Sequence, residues 1–150
     1  MADLEFKNTN FILQKGWKVF SKGTTVGQDK YHPDISIKDS NDKFTCILES
    51  TSTNDRKVGL GELLLAEKLF VDEECKGILV FSLSGTGKQS PRPETQIKYI
   101  RPYFDFLKKV NKNIGVISIY FIKESDFKNA QWELFSKKFE EKSEKLIVNI

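Results

Sequence analysis

The distribution of hydrophobic and polar residues along this chain predicts both helices and strands. Residues 58–71 carry apolar residues at helical spacing and predict a long amphipathic helix. Residues 77–83 and 115–122 are short apolar runs bounded by turn residues, which is typical of buried central strands. Helix and strand are therefore expected to alternate through the second half of the chain.

Three further segments show helical spacing. Residues 94–110 form an amphipathic pattern in which Pro102 predicts a kink or a break. Residues 125–141 place several aromatic residues, Trp132 among them, at a spacing more typical of a core-facing stripe than of a base-stacking surface. A weaker pattern over residues 3–15 ends before a glycine and predicts an N-terminal helix.

The first half of the chain predicts strands. Residues 17–20 alternate apolar and polar, and residues 31–38 and 44–51 form two strand patterns joined by a polar turn. Pro33 has no N–H group for a β-ladder, so pairing is expected to begin at Asp34. These segments predict a strand followed by a hairpin.

The predicted elements follow the order α-β-β-β-α-β-α-β-α, with a short strand at residues 146–150 as an optional closing element. This order indicates a mixed β-sheet flanked by helices. A length of 150 residues fits one domain, and no internal repeat or Pro/Ser/Gly-rich linker divides the chain. We expect residues 1–150 to form a single α/β domain.

Composition removes several classes of protein. A hydrophobic fraction of 39% argues against a disordered chain, and a charged fraction of 30% argues against a membrane-embedded one. No basic segment followed by an apolar one opens the sequence, so export is not signalled. We expect no membrane partner and an intracellular location, in the cytoplasm or nucleus, of a host cell if the protein is viral.

The same counting removes several chemistries. His32 is the only histidine, and Cys46 and Cys75 lie 29 positions apart, which argues against a structural zinc site and a His-dependent nucleophile. The loop at residues 84–89 lacks the glycine and hydroxyl positions of a phosphate-binding P-loop. A net charge of +3 permits a polyanionic partner without requiring one.

The predicted hairpin brings two acidic residues together. If its turn is centred on residues 41–42, Asp34 faces Glu49 across the strands, with Cβ atoms about 4.5–5.5 Å apart, and like charges in that position destabilise a sheet. Two such carboxylates can share Mg²⁺ or Mn²⁺. Strand alternation puts Thr51 on the face of Glu49, while the Ser50 side chain points away and its carbonyl stays near the site.

These residues resemble the PD-(D/E)xK nuclease superfamily: Pro33-Asp34, a step of 15 positions, then Glu49-Ser50-Thr51 before a helix. The resemblance implies a restriction-endonuclease-like α/β fold with an αβββαβ core plus a C-terminal helix. It also implies that Asp34, Glu49 and the Ser50 carbonyl bind the metal. It does not extend to Thr51, where the family usually has a lysine that orients or activates water.

Viral cap-snatching endonucleases are similar in having the PD pair, an acid, a nearby threonine and a lysine on the following helix. By this resemblance Lys57 and Lys68 are the candidate catalytic lysines, and Lys68 is favoured because it lies within the predicted helix. Glu62 matches a position at which related nucleases place a further polar residue facing the metal. Glu5, in the first predicted helix, is a weaker candidate for the same role.

The resemblance implies a metal-dependent endonuclease that hydrolyses the phosphodiester bonds of DNA or RNA. Candidate substrate-binding residues are Thr51, His32, Lys88 and Arg92, and the simpler interpretation of the last two is a solvated loop. A basic helix face fits either phosphate contacts or plain solvation; it comprises Lys98, Arg101, Lys108 and Lys109.

Two alternatives stay open. The residue at Thr51 is compatible with a catalytically inactive nuclease-fold module that binds nucleic acid or protein. In the simplest interpretation, Asp34 only begins a strand and Glu49 is a solvent-facing strand residue. A homodimer and a part of a larger protein both remain compatible with the sequence.

Overall fold

One six-stranded mixed sheet forms the centre of the fold in a computed structural model that describes residues 2–148, and side chains from residue 4 onwards. Neighbouring strands follow chain order. The pairings of β1 with β2, β2 with β3 and β5 with β6 are antiparallel, whereas β3, β4 and β5 run parallel. The strands are β1 (Lys18–Ser21), β2 (Ile35–Lys38), β3 (Phe44–Thr51), β4 (Lys76–Leu83), β5 (Gly115–Lys123) and β6 (Glu144–Ile147).

Helices cover both faces of the sheet, as the α/β prediction requires. They are α1 (Ala2–Lys7), α2 (Arg56–Asp72), α3 (Pro93–Lys108), α4 (Glu124–Asn129) and α5 (Lys137–Lys142). Helices α2 and α3 make the crossovers between the parallel strands, and their apolar residues share one core cluster with Ile47 and Phe121. Residues of α1, α4 and α5 share the second cluster with Leu48 and Val80. The prediction of a mixed sheet flanked by helices is confirmed.

Helix α2 begins close to the end of β3, and its start is well defined. The Asp55 side chain caps the helix by accepting a hydrogen bond of 3.0 Å from the backbone N–H of Lys57. Leu63, Ala66 and Phe70 then bury one face of the helix against the sheet. The first turns of α2 are thereby held near the last residues of β3.

Two predicted helices are shorter than the pattern indicated. The N-terminal helix ends at Lys7. Just beyond it, the Thr9 hydroxyl donates a hydrogen bond of 3.0 Å to the Glu5 carbonyl, and this local bond competes with continuation of the helix. The predicted helix over residues 125–141 is divided into α4 and α5. Gln131 and Trp132 have φ values of 57° and 58°, which a right-handed helix excludes.

Two other predictions differ from the structure, one inside α3 and one at the last strand. The predicted break at Pro102 is wrong, because α3 continues through it with Ile100 and Phe104 buried on either side. The closing strand exists but lies at Glu144–Ile147, and residues 149–150 of the predicted strand lie outside the described residues. Across residues 2–148, no helix has both the length and the apolar character to cross a bilayer.

Candidate active site

The β2–β3 hairpin has the register that the symmetric turn predicted. Three consecutive pairs confirm it: Ile35 with Leu48, Ser36 with Ile47 and Ile37 with Cys46. A bulge next to the turn shifts only the last pair, Lys38 with Phe44. Continued one residue away from the turn, the register places Asp34 opposite Glu49.

Asp34 and Glu49 hold each other's strand ends through reciprocal hydrogen bonds. The Asp34 backbone N–H donates to Glu49 Oε1 at 2.8 Å, and the Ser50 backbone N–H donates to Asp34 Oδ2 at 2.7 Å. The Tyr31 hydroxyl donates to Glu49 Oε2 at 3.1 Å. Glu49 is only 6% exposed, so the interpretation as a solvent-facing strand residue is wrong.

A third carboxyl reaches this place from α2. The Thr51 hydroxyl donates to Glu62 Oε1 at 3.1 Å, and Thr51 shares the sheet face of Glu49 because strand side chains alternate. We refer to Asp34, Glu49 and Glu62 as the acid cluster. Its members come from β3, from the residue preceding β2 and from the second turn of α2.

Burial and mutual repulsion raise the pKa values of Glu49 and Glu62. Burial, followed by the charge of Glu49, raises the pKa of Glu62 to about 9. Burial also raises the pKa of Glu49 to about 7, although the hydrogen bonds from the Asp34 backbone and from Tyr31 act in the lowering direction. The cluster therefore binds protons that an exposed glutamate would have released at neutral pH.

The oxygen atoms of the acid cluster are the donors that Mg²⁺ and Mn²⁺ prefer, and Mg²⁺ needs only one or two carboxylates plus water. Asp34 and Glu49 fit this requirement. The N–H and C=O groups of one strand residue point to the same side, so the Ser50 carbonyl is directed to the Asp34 side together with its N–H. Among the side chains of residues 4–148, no group of three or more from His, Cys, Asp and Glu is arranged to hold a metal ion.

Of the two lysines named from the sequence, Lys68 is engaged outside the acid cluster. The ammonium of Lys68 donates to Asp29 at 2.5 Å and to Asp72 at 2.6 Å on the outer surface. Lys57 is exposed in the first turn of α2. The structure instead brings Lys7 of α1 to Asp34, with Nζ 3.6 Å from Oδ1.

Sequence reasoning missed Lys7 and Tyr31. The burial of Phe6 fixes α1 on the sheet and thereby places Lys7, but the sequence shows no sign of where a helix of six residues docks. The strand pattern over residues 31–38 includes Tyr31, but this residue forms an isolated bridge with Val26 outside β2. Its proximity to Pro33 and Asp34 was the one signal that could have drawn attention to it.

The remaining candidates are distributed over the surface and the interior. His32 is exposed and lies 3.1 Å from the Thr25 hydroxyl, and Lys88 is exposed in the loop after β4. Arg92 and Glu5 line a separate cavity at the ends of β4 and β5. The assignment of Lys108 to a polar helix face is wrong, because its side chain is only 5% exposed and forms a buried ion pair.

Comparisons of this chain with protein-family models, with curated proteins and with solved structures found no match. The arrangement of the acid cluster and its surroundings is therefore the basis on which a function is argued. Its chemistry is that of closely spaced carboxyl oxygens with raised proton affinity, beside one ammonium group.

Proposed function

We propose that this protein is a metal-dependent phosphodiesterase of restriction-endonuclease-like fold that hydrolyses nucleic acid, either DNA or RNA. The observation that carries the proposal is a pair of hydrogen bonds across the hairpin end, from the Asp34 N–H to Glu49 and from the Ser50 N–H to Asp34. These bonds fix two carboxyls at one place with Glu62 beside them. Burying like charges together is unfavourable, and a divalent cation compensates for it.

The order of elements supports the finer fold assignment. Elements α1, β1, β2, β3, α2 and β4 follow one another as the resemblance to PD-(D/E)xK nucleases implies, with antiparallel pairs before α2 and a parallel pair across it. The acidic pair lies at the end of β3, and α2 supplies the third carboxyl. This is the placement that the resemblance predicts for the metal ligands.

In the proposed mechanism, Asp34, Glu49 and the Ser50 carbonyl would hold the metal ion. When bound, the ion supplies a lowered water pKa and stabilises negative charge on phosphate oxygens. The Tyr31 hydroxyl and the Asp34 N–H orient the Glu49 carboxylate. Lys7, with Nζ 3.6 Å from Asp34 Oδ1, contributes a positive charge beside the carboxyls that would attract a phosphate. Water attacks phosphorus and forms the new P–O bond, and the ester P–O bond breaks with its electron pair passing to the leaving oxygen. The attacking water gives up a proton to solvent, and the leaving oxygen takes one up from solvent.

One observation favours the second candidate, a catalytically inactive module for nucleic-acid or protein binding. The acidic pair bonds to the backbone of its own hairpin, and Lys7 already faces Asp34, so the same contacts also serve to close the strand ends. Thr51 occupies the position at which the family usually has lysine. The two candidates differ in whether the pair binds a divalent cation.

Metal-dependent stability and cleavage test this proposal together. We expect Mn²⁺ or Mg²⁺ to raise the Tm of the wild type relative to EDTA, because an ion that binds only the folded state stabilises it. In Asp34→Asn and Glu49→Gln this increase should disappear, and cleavage of DNA or RNA should fall by about 100-fold or more. Asp29→Asn, which removes an exposed carboxyl outside the cluster, is the matched control.

Two outcomes would contradict the proposal of a metal-dependent nuclease. A wild type with no metal-dependent change in Tm and no cleavage of single- or double-stranded DNA or RNA would favour the inactive module. Loss of the metal response in Asp29→Asn would show that the ion binds elsewhere.

A further inference from the structure

A second site candidate lies at the carboxyl end of the sheet, outside the acid cluster. A cavity of about 550 Å³ opens at the C-terminal ends of β4 and β5, between α1, α4 and the loop at residues 84–92. Ligands of open α/β sheets bind outside the carboxyl ends of parallel strands, and this volume lies within the usual range for small-molecule sites.

The charges around this cavity fit a phosphate-bearing ligand. Three basic residues line it, namely Arg92, Lys123 and Lys128, against two acidic ones, Glu5 and Glu124. The basic side chains belong to exposed residues from two parts of the chain: Arg92 precedes α3, and Lys123 and Lys128 lie at the two ends of α4. The adjoining loop adds small hydroxyl residues and glycines, which let an anionic group approach the backbone closely.

One wall of the cavity is a rigid aromatic surface. Trp132 lines the cavity, and its ring is held by Phe6, with centroids 6.0 Å apart, and by Phe127, with centroids 4.8 Å apart. Trp132 is partly exposed, so its ring is not fully absorbed by the core. An aromatic ring of this kind stacks on nucleic-acid bases without strong sequence preference.

One residue of β3, Ser50, connects the cavity to the acid cluster. The Ser50 hydroxyl donates to Glu124 Oε1 of the cavity at 3.1 Å, while the Ser50 N–H donates to Asp34 Oδ2 at 2.7 Å. The Ser84 N–H, also at the cavity, donates to the Thr51 carbonyl at 2.8 Å. A ligand in the cavity therefore lies at the same end of the sheet as the proposed catalytic carboxyls.

We propose that this cavity binds one nucleotide unit of a single-stranded nucleic acid. Its base lies against Trp132, and its phosphate contacts Arg92 and Lys123. The assignment of this ligand as substrate rests on the proposed nuclease function. The binding itself needs no metal ion, because none of the contacts involves the acid cluster.

Binding in EDTA tests the proposal without cleavage. In a Trp17→Phe protein, Trp132 is the sole tryptophan, and a single-stranded oligonucleotide should quench its fluorescence. The double variant Arg92→Ala/Lys123→Ala should weaken binding about tenfold or more, measured by fluorescence anisotropy of a labelled strand. The control Lys76→Ala/Lys112→Ala removes two exposed lysines near the opposite ends of β4 and β5 and should bind as the wild type does.

Several outcomes would overturn the proposal. These are unchanged Trp132 fluorescence, equal losses in both double variants, equally tight binding of duplex, and quenching by a free nucleotide but not by a strand. The nuclease proposal fails separately: binding in EDTA with no cleavage in Mn²⁺ or Mg²⁺ removes the activity and leaves the nucleotide site. If Arg92→Ala/Lys123→Ala cleaves single strands at the wild-type rate, the nucleotide site is overturned and the nuclease proposal stands.

Discussion

The protein buries glutamates in two places. In one place the glutamate is paired with a buried lysine, and in the other it lies beside further carboxyls. Under α2 and α3, Lys108 donates to both oxygens of Glu67 at 2.7 Å, and the Val116 N–H donates to Glu67 Oε1 at 2.6 Å. Lys108 also donates to the carbonyls of Asn111 and Ile114. Every charge in this pair therefore has an opposite charge and further hydrogen bonds.

The backbone is built closely around that pair. Gly115 has a φ of +79°, and a Cβ atom at this position would lie 2.2 Å from Glu67 Oε1. Glycine is thus required both by the left-handed conformation and by the space that the carboxylate occupies. The Glu67–Lys108 pair is a closed structural unit.

The acid cluster is the contrasting case. Its carboxyls repel one another, and the pKa values of Glu49 and Glu62 remain raised although Lys7 lies 3.6 Å from Asp34. Buried charge that only holds a fold together is neutralised locally, as at Glu67. Titratable groups with strongly perturbed pKa values at one edge of a sheet are more typical of a functional site.

The largest effect is expected from breaking the closed pair. Lys108→Met leaves the Glu67 carboxylate buried without its cation and should lower the free energy of unfolding by about 3–5 kcal/mol. Urea denaturation measures this loss. The double variant Glu67→Leu/Lys108→Met should recover much of it, since removing both charges also removes their desolvation. A single variant as stable as the wild type would contradict the contrast.

A smaller effect, with a definite sign, is expected from pH. Because the pKa of Glu62 is raised in the folded state to about 9, the folded protein binds a proton that the unfolded chain has lost above pH 4.5. Its contribution to stability is therefore present below that pH and is lost as pH rises towards 9. Glu62→Gln should flatten this decline and make the protein more stable than the wild type at pH 8.

Thermal denaturation between pH 5 and pH 9 in EDTA measures this dependence, and Glu141→Gln, at an exposed position of α5, serves as the comparison. If the wild type instead gained stability relative to Glu62→Gln between pH 5 and pH 8, the expected pH dependence would be contradicted. The acid cluster would then be neutralised as completely as the Glu67–Lys108 pair.

The smallest effect is expected at Lys68. Its ion pairs with Asp29 and Asp72 are on the surface, where such pairs contribute little, so Lys68→Ala should change Tm by less than about 2 °C. Cleavage rates should also stay near wild type, whereas Lys7→Ala should reduce them about tenfold. If Lys68→Ala abolished cleavage and Lys7→Ala did not, the lysine implied by the family resemblance would be the relevant one.

The parts of the structure that follow from short-range periodicity were predictable. Side chains alternate with a period of 2, and a symmetric turn fixes which residues oppose each other, so the register of the β2–β3 hairpin followed from the sequence. The buried strands β4 and β5 followed from their continuous apolar runs. Helix ends were less predictable, because local bonds such as that of Thr9 decide them.

The sequence by itself determined the alternation of helices and strands and the meeting of Asp34 with Glu49, since both depend on neighbours within one hairpin or helix. Only the tertiary structure decided that Lys7 reaches Asp34, that Tyr31 reaches Glu49, and that Lys108 turns inward to Glu67. Lys7 and Lys108 reach partners far along the chain, and Tyr31 reaches Glu49 from an irregular segment that precedes β2. Their geometry is set by how whole helices and loops pack on the sheet, a global balance of apolar burial that no local pattern encodes.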